Sequence, residues 1–217
     1  PVPTEVGNLS SITRLVLFDN CLSGPVPTEL GRLAKLTELV LESNKLGGRI
    51  PTELCRLTGL RALSLADNKL TGPIPSRVGD LTKLHGGVGV PGLNFANNCL
   101  TGYIPSQIGQ LATLTKLWLF NNKLEGSIPT ELGQLTALTE LHLYHNQLTG
   151  RIPTEIGQLQ KLTQLELWNN DLTGRIPTEI GSLPSLKQLW LHNNHLNDTA
   201  DFERAMKAKT PSCNVRV

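Results

Sequence analysis

The sequence repeats itself with a fixed period, and this periodicity constrains the fold more than any other feature. "GRIPTEIGQLQKLTQLELWNNDLT" is followed directly by "GRIPTEIGSLPSLKQLWLHNNHLN". A period of about 20 to 50 residues is typical of solenoid proteins, in which each unit packs only against its neighbours. The units are numbered 1 to 8 by anchor residues that recur every 24 positions with one step of 30: Ile12, Leu36, Leu60, Leu84, Leu114, Leu138, Leu162 and Leu186.

Each unit reads L-x-x-L-x-L-x-x-N-x-L-x-G-x-I-P-x-x-L-G-x-L-x-x. The L-x-L stretch alternates apolar and polar residues, which predicts a short strand with one buried face. Stacked units should align these strands in a parallel sheet, about 4.8 Å apart, along the inner side of a curved stack. The Asn lies among leucines, so its amide must be hydrogen-bonded, and we expect a ladder of such amides. Its members are Asn20, Asn44, Asn68, Asn98, Asn122, Asn146, Asn170 and Asn194.

Composition and charge argue against several kinds of partner. The formal net charge is only +2, and acidic and basic residues are interspersed. No broad electrostatic field therefore favours nucleic acid or a membrane surface. No apolar run approaches the length that spans a bilayer, so we expect no direct membrane insertion.

The L-x-G-x-I-P signature makes the sequence resemble the plant-type leucine-rich repeat family. The resemblance covers essentially the whole chain, with seven I-P or V-P units and eight strand units. It implies an α/β solenoid, a curved right-handed superhelix with a parallel β-sheet on its concave face and a second set of short strands. It also implies kinship with receptor-kinase ectodomains and with inhibitors of cell-wall polygalacturonases. Those proteins bind peptides, hormones, co-receptors or enzymes on the concave side.

We expect one domain over residues 1–217. Residues 1–11 match the second half of a unit, and residues 12–196 hold eight strand units with a six-residue insertion near 85–90. Because the first repeat lacks the paired-cysteine cap usual in the family, we expect a part of a longer protein.

Residues 197–217 are predicted to be a C-terminal cap, a helix followed by a last strand, because a solenoid must cover its final apolar layer. Asp198 or Thr199 is placed to cap the start of this helix. The helix should bury Phe202, Ala205 and Met206, and the strand should bury Cys213, Val215 and Val217.

The four cysteines are predicted to be unpaired. Cys21 and Cys99 share a column but lie three units apart, about 14 Å at strand spacing, and a disulfide requires Cα atoms within about 7 Å. Cys55 lies on the opposite side of the coil and Cys213 in the tail. Free thiols favour a reducing compartment, whereas the family resemblance favours an extracellular location, so the localisation stays open. We expect neither metal binding nor catalysis from these thiols.

The insertion contains Gly87-Val88-Gly89-Val90-Pro91-Gly92, which formally matches a dinucleotide-binding fingerprint. That motif functions between a strand and the start of a helix. Here it interrupts a repeat and runs into the next strand, so we expect no cofactor. The insertion is predicted to be a surface bulge at the entrance of a strand or a functional loop over the concave face.

Two columns of variable residues carry the candidate site. They are the x of L-x-L and the position two residues further on, and both should face solvent from the concave sheet. Six of the nine aromatic residues, including all three tryptophans, lie in these columns. Units 3 and 4 offer small side chains there, namely Ser64, Ala66, Asn94 and Ala96. Units 5 to 8 offer Trp118, Phe120, His142, Tyr144, Glu166, Trp168, Trp190 and His192.

An exposed aromatic patch of this kind usually marks an interaction site. The sequence therefore predicts that these eight residues bind a ligand. The alternative is that neighbouring rings only stack along the sheet and stabilise it.

The predicted function is a non-catalytic, monomeric recognition module that binds a protein or peptide on its concave face, as part of a larger receptor or signalling protein. A carbohydrate-binding or enzyme-inhibiting repeat protein is the alternative, because Trp and Tyr faces can also stack on sugars. His142 and Glu166 are neighbours in one column. An open sheet offers them neither a closed pocket nor a complete catalytic set, so we expect no enzyme.

Overall fold

The computed structural model describes residues 1–86 and 89–217. Among them, nine short parallel strands form one sheet, in which every strand pairs with the strands of the neighbouring units. The predicted solenoid with a parallel sheet on its concave face is therefore confirmed. The nine strands are Arg14–Val16, Glu38–Val40, Ala62–Ser64, Leu93–Asn94, Lys116–Trp118, Glu140–His142, Gln164–Glu166, Gln188–Trp190 and Asn214–Arg216.

A second parallel sheet runs along the flank of the solenoid, as the family resemblance implied. Within the described ranges it has eight strands, again in consecutive order. They are Ser23–Pro25, Lys45–Arg49, Lys69–Gly72, Cys99–Tyr103, Lys123–Ser127, Gln147–Gly150, Asp171–Arg175 and His195–Asn197. Short 3₁₀ helices complete the turns at Thr4–Asn8, Thr28–Arg32, Thr52–Arg56, Ser76–Asp80, Ser106–Gln110, Thr130–Gln134, Thr154–Gln158 and Thr178–Ser182.

The core is a continuous stack of aliphatic side chains between the two sheets and the 3₁₀ helices. The two leucines of each L-x-L strand point inward, and Leu117, Leu141 and Leu165 are fully buried. Burying a leucine side chain contributes about 1.5–3 kcal/mol, so repetition of the same layer accounts for most of the stabilisation. The prediction of one buried face per strand is confirmed.

The asparagine ladder is present. Asn170 Nδ2 donates to the carbonyl oxygens of Leu143 (3.1 Å) and Leu167 (3.0 Å), and its Oδ1 accepts the N–H of Leu148 (3.0 Å). The same bonds join each later unit to the one before it, from Asn44 to Asn194. The side-chain amide of Asn20, in unit 1, donates to two carbonyls of its own turn, those of Leu17 and Phe18.

Glycine in the L-G-x-L segment lets neighbouring 3₁₀ helices approach closely. A Cβ on Gly31 would lie 2.5 Å from the carbonyl oxygen of Glu53 in the next unit, a distance that atoms do not tolerate. Cys55 occupies this column in unit 2 and is buried. It therefore fills the interior as a small apolar side chain, as predicted.

The insertion leaves the concave sheet unbroken. Leu63 pairs with Leu93, which pairs with Leu117, so the strand of unit 4 resumes in register. Gly87 and Val88, within the fingerprint-like stretch, lie outside the described residues. That stretch is followed by a strand and not by a helix, which agrees with the expectation that it is not a nucleotide-binding motif.

The C-terminal cap follows the prediction with two corrections. A helix spans Thr199–Lys209 with Met206 buried, and Asn214–Arg216 adds the last strand of the concave sheet. Ala205 is exposed, not buried, because the helix packs through Phe202 and Met206 alone. Asp198 makes no capping bond, because its left-handed backbone turns the carboxylate to Arg175 at 2.8 Å.

The four cysteines, all within the described part of the chain, are free thiols. Cys21 is exposed and Cys99 is partly covered, whereas Cys55 and Cys213 are buried. Burial raises the pKa of the Cys55 thiol to about 11, with Asp80 adding to the rise, and burial also raises the pKa of Cys213. Both buried thiols should therefore be unreactive in the folded protein.

Thiol titration tests this arrangement. The denatured, non-reduced protein should react at all four cysteines. In the folded protein Cys21 should react fast and Cys99 more slowly, whereas Cys55 and Cys213 should react only after the protein unfolds. A total of two or zero thiols after denaturation would contradict the spacing argument.

Replacing Asn170 by Ala tests the ladder. The change removes the partner of the Leu148 N–H and the donor to three carbonyls, so it should cost about 2–4 kcal/mol of unfolding free energy. Urea unfolding followed by circular dichroism measures this loss.

Asn20→Ala is the matched control. Asn20 lies in the same column, but the side-chain bonds that this substitution removes stay within its own unit. It should cost about 1 kcal/mol or less. An equal loss for both variants would mean that the ladder does not join the units.

Candidate functional site

The eight predicted site residues come together on the concave face of units 5 to 8. The register aligns His142 with Trp118 on one side and with Glu166 on the other, and Glu166 with Trp190. The residues two positions further on form a second column beside them. We call the set the aromatic ladder, which consists of Trp118, Phe120, His142, Tyr144, Glu166, Trp168, Trp190 and His192.

The second column is a continuous stack of rings. The Phe120 and Tyr144 centroids lie 4.5 Å apart, those of Tyr144 and Trp168 4.6 Å, and those of Trp168 and His192 5.2 Å. Their planes are parallel within 11°. The spacing follows from the strand separation of about 4.8 Å, which is close to the contact distance of stacked rings.

The first column begins with a stacked pair. The Trp118 and His142 rings lie 5.6 Å apart and nearly parallel. Trp118 Nε1 donates to Glu140 at 3.1 Å, and Glu140 also pairs with Lys116 at 2.8 Å. A carboxylate therefore fixes the indole at the start of the ladder.

The middle of the first column is polar but satisfied. His142 Nε2 lies 3.0 Å from Gln164 Oε1 and 3.7 Å from the Glu166 carboxylate. Gln188 Nε2 donates to Glu166 Oε1 at 2.5 Å. These contacts engage one polar atom of each residue within the protein, Nε2 of His142 and Oε1 of Glu166.

The last residues of the aromatic ladder, in unit 8, lie against the C-terminal cap. Arg216 covers the Trp190 ring, with its guanidinium carbon 5.1 Å from the ring centroid. Trp190 meets Trp168 edge to face at 6.5 Å. Among the described residues, the covered indole N–H groups of Trp168 and Trp190 and the Nδ1 of His192 have no hydrogen-bond partner.

The expectation that these side chains face open solvent needs correction. His142 retains only 9% of its exposure and Glu166 6%, so both are buried, and the other six ladder residues are half-buried. The cause is the stacking itself, because neighbouring rings cover each other's faces and leave only their edges exposed. Stacking along the sheet is therefore present, and it leaves a strip of ring edges on the surface.

Burial favours the neutral forms of the titratable rings of the ladder. Burial lowers the pKa of His142, and this effect outweighs the opposing influence of Glu166 and Gln164. Burial, followed by Arg216, lowers the pKa of His192. Burial, with a smaller contribution from Glu166, raises the pKa of Tyr144 to about 12.

Sequence reasoning missed the residues that support the ladder from the side. Gln164 and Gln188 lie two residues before the x of their L-x-L strands, and Arg216 lies in the last strand. The alternation of strand side chains points all three to the concave face, so the period of two residues was the signal that could have found them.

Neither a metal site nor a membrane segment was found. In residues 1–86 and 89–217, no group of three or more His, Cys, Asp or Glu side chains is arranged to hold a metal ion. Over the same ranges, no helix combines the length and apolar character that crossing a bilayer requires.

Two family models match the chain. "Leucine Rich repeats (2 copies)" matches residues 112–154 and 160–204, and "Leucine Rich Repeat" matches residues 35–57 and 59–81. The chain belongs to the leucine-rich repeat family. Its L-x-G-x-I-P signature and its structural neighbours are those of plant leucine-rich repeat ectodomains.

Among solved structures, this leucine-rich repeat chain is similar to a TDR receptor, with 34% identity and a TM-score of 0.84. It is also similar to the Arabidopsis receptor kinase HAESA in complex with the peptide hormone IDA and the co-receptor SERK1, with 34% identity and a TM-score of 0.80. Both matches cover 90% of this chain but 33% and 32% of the receptor chains. The chain thus spans about a third of their length.

A plant ice-binding protein is a further structural neighbour, with 25% identity and a TM-score of 0.73. That match covers 100% of this leucine-rich repeat chain and 77% of the other protein. No curated protein matches the sequence closely enough to count as a relative.

The buried His142 should make stability depend on pH. Its pKa is lowered in the folded state, so the unfolded chain takes up a proton more readily, and the free energy of unfolding should fall as the pH drops below about 6.5. Urea unfolding at several pH values should show this slope, and His142→Gln should reduce it.

The exposed His195 of the second sheet offers the matched control. His195→Gln should leave the slope in place. A slope that survives unchanged in His142→Gln would mean that the buried imidazole does not cause it.

Proposed function

We propose that this chain is a non-catalytic recognition module that binds a protein or peptide segment along the aromatic ladder, as part of a larger receptor. The observation that carries the proposal is the uncharged strip of half-buried ring edges on units 5 to 8. Trp and Tyr are frequent anchors of interfaces, because they bury a large area at a low cost in side-chain entropy.

The dimensions of the strip suit an extended peptide. Three strand steps span about 14 Å, and the two columns lie about 7 Å apart along each strand. About four residues of extended chain cover that length. The strip can therefore hold a short peptide segment or the centre of a larger protein contact.

Polar rows on both sides of the ladder suit a peptide backbone. On one side, Asn193 donates to Asn169 at 2.6 Å, and Asn169 contacts the His145 ring at 3.0 Å. On the other side lie Gln164 and Gln188. Amides beside an apolar strip match the alternation of peptide groups and side chains in an extended ligand.

The unpartnered N–H groups of Trp168 and Trp190 support a ligand at the far end of the ladder. A covered donor without an acceptor costs about 1–3 kcal/mol. A ligand carbonyl that reached one of them after a small ring rotation would recover part of that cost. A stack that served only stability would gain nothing from leaving these donors unsatisfied.

Two arguments support a role without catalysis. First, His142 Nε2 lies 3.0 Å from Gln164 Oε1, and Glu166 Oε1 accepts a hydrogen bond from Gln188 Nε2. These atoms are therefore engaged within the protein. The structural neighbours include a receptor ectodomain in complex with a peptide hormone and a co-receptor, and leucine-rich repeat ectodomains are generally non-catalytic.

Ice binding is a second candidate, favoured by one observation. The chain matches a plant ice-binding protein over its whole length, and its 3₁₀ helices carry an exposed threonine row. The row is Thr4, Thr28, Thr52, Thr130, Thr154 and Thr178. Each hydroxyl, however, donates to the following glutamate at 3.2–3.4 Å. Because carboxylates hold water in shells of their own, the concave face remains the first candidate.

An ice-recrystallisation assay separates the two functions. The concave-face account predicts ordinary ice growth in the presence of the protein. Inhibition that disappears in Thr154→Arg but persists in Trp168→Ala would assign the function to the threonine row.

Peptide selection tests the concave site. Peptides selected from a random displayed library should bind the protein, and Trp168→Ala should weaken them about thirtyfold or more, the effect of removing a buried anchor. Calorimetry gives the affinities, and circular dichroism verifies that the variant is folded. Cell-wall oligosaccharides form the second arm, and binding of these alone would favour the carbohydrate-binding alternative.

Tyr103→Ala is the matched control. Tyr103 is an aromatic residue that is 67% exposed, but it lies in the second sheet and not on the concave face. It should change the affinity little. Equal losses for both variants, or none for Trp168→Ala, would contradict a site on units 5 to 8.

A further inference from the structure

We propose that the concave face carries a second subsite, at the start of the strands of units 1 to 4, that binds an acidic side chain of the same peptide. This inference rests on the proposed function and adds the charge and spacing of the ligand. The subsite, which we call the rim pocket, is a cavity of about 240 Å³ lined by Arg14, Glu38, Arg61, Ala62, His85 and Gly86.

His85 and Gly86, at the start of the insertion of unit 4, form one wall of the rim pocket. The N–H groups of His85 and Gly86 donate to the Arg61 carbonyl at 3.0 and 2.8 Å. On the opposite side, the Thr115 hydroxyl donates to the His85 carbonyl. Gly86 has a φ of 114°, and a Cβ there would lie 3.0 Å from the Val90 carbonyl oxygen, so only glycine fits this turn. The wall is therefore preorganised.

The charge in the rim pocket is not balanced. Arg14 pairs with Glu38, whose side chain is only 13% exposed, so this carboxylate is already neutralised. In the part of the chain that the structure describes, no carboxylate pairs with the exposed guanidinium of Arg61. The Arg61 guanidinium is therefore available to a ligand, and His85 lines the same pocket. A guanidinium can bind a carboxylate through two parallel hydrogen bonds.

No ring occupies the variable columns between the rim pocket and the aromatic ladder. Ala62, Ser64 and Ala66 of unit 3 and Ala96 of unit 4 are short, and neighbouring side chains cover them, so that they retain at most 1% of their exposure. The rings of these columns begin again only at Trp118 of unit 5. A ligand that leaves the rim pocket therefore meets small side chains before it reaches the ladder.

The rim pocket and the aromatic ladder lie on one continuous path. Arg61 belongs to unit 3 and Trp118 to unit 5. Trp118 lies two strand steps across the sheet and three residues along the strands from Arg61, a separation of about 14 Å. Trp168 lies four steps across and five residues along, about 25 Å away. An extended peptide advances about 3.3 Å per residue, so the acidic residue should precede or follow a large apolar residue by about four to eight positions.

The position of the rim pocket favours an acidic side chain over a free chain terminus. Beyond it, unit 1 still offers Val16 and Phe18, which are 39% and 54% exposed. A ligand that ended at Arg61 would leave this apolar surface uncovered. A ligand that carries its carboxylate on a side chain can continue across it.

The experiment selects a random peptide library displayed at the amino terminus of a phage coat protein, so that Asp and Glu supply the only carboxylates of the random segment. Peptides recovered on the wild-type protein should carry an acidic residue about four to eight positions from a large apolar residue. Selection on Arg61→Gln should lose the acidic residue and keep the apolar one.

Calorimetry with one recovered peptide and its Asp→Asn or Glu→Gln analogue completes the test. Arg61→Gln should weaken the acidic peptide about threefold to tenfold at low ionic strength, the range of a partly exposed ion pair, and much less at high salt. The neutral analogue should bind both proteins equally. Lys35→Gln, at an exposed lysine outside the concave face, should leave both affinities unchanged.

The outcomes separate this inference from the proposed function. Peptides that need Trp168 but carry no acidic residue, or that bind Arg61→Gln unchanged, would overturn the rim pocket and leave the aromatic ladder as the site. A library that yields no peptide above a protein-free control would overturn both.

Discussion

Hydrogen bonds between neighbouring turns hold this solenoid together, and one asparagine amide per turn is central to them. Each ladder asparagine from unit 2 onward donates to a carbonyl of the preceding unit and accepts an N–H from it, as Asn170 does with Leu143 and Leu148. Leucine layers supply the bulk of the burial, but apolar contacts alone do not fix the distance between turns. The asparagine amides and the backbone hydrogen bonds between neighbouring strands do, because hydrogen bonds tolerate little change in length. The spacing of the two sheets, and of every column of side chains on them, follows from these bonds.

The fixed spacing also explains the concave face. Strands about 4.8 Å apart bring side chains of one column to the contact distance of stacked rings. Where a column holds rings, as from Phe120 to His192, it becomes a rigid strip whose edges face outward. Where it holds small residues, as at Ser64 and Ala96, neighbouring side chains cover it and no ring projects from it. The framework is the same in every unit, so the shape and charge of the binding face depend only on the residues in the variable columns.

Much of this architecture could be predicted from the sequence, because a 24-residue period aligns equivalent positions without knowledge of any contact. The concave sheet, the asparagine ladder and the grouping of the aromatic residues follow from it, whereas the second sheet was implied only by the family resemblance. The burial of His142 and Glu166 could not be predicted, since it depends on how neighbouring side chains cover each other. The rim pocket is another example, because Arg61 and His85 meet only where the insertion folds back. The prediction that Asp198 caps the C-terminal helix was wrong, because the same carboxylate forms a salt bridge with Arg175.

The indole signals of the three tryptophans provide the most direct measurement of ligand binding on the ladder. Trp118, Trp168 and Trp190 are the whole tryptophan content of the chain, and all three belong to the ladder. A ¹H–¹⁵N spectrum of the protein, titrated with a selected peptide, therefore reports on the site without further assignment. The account predicts that the indole signals shift with the same midpoint as binding measured by calorimetry. Indole signals that stay in place while the peptide binds would contradict it.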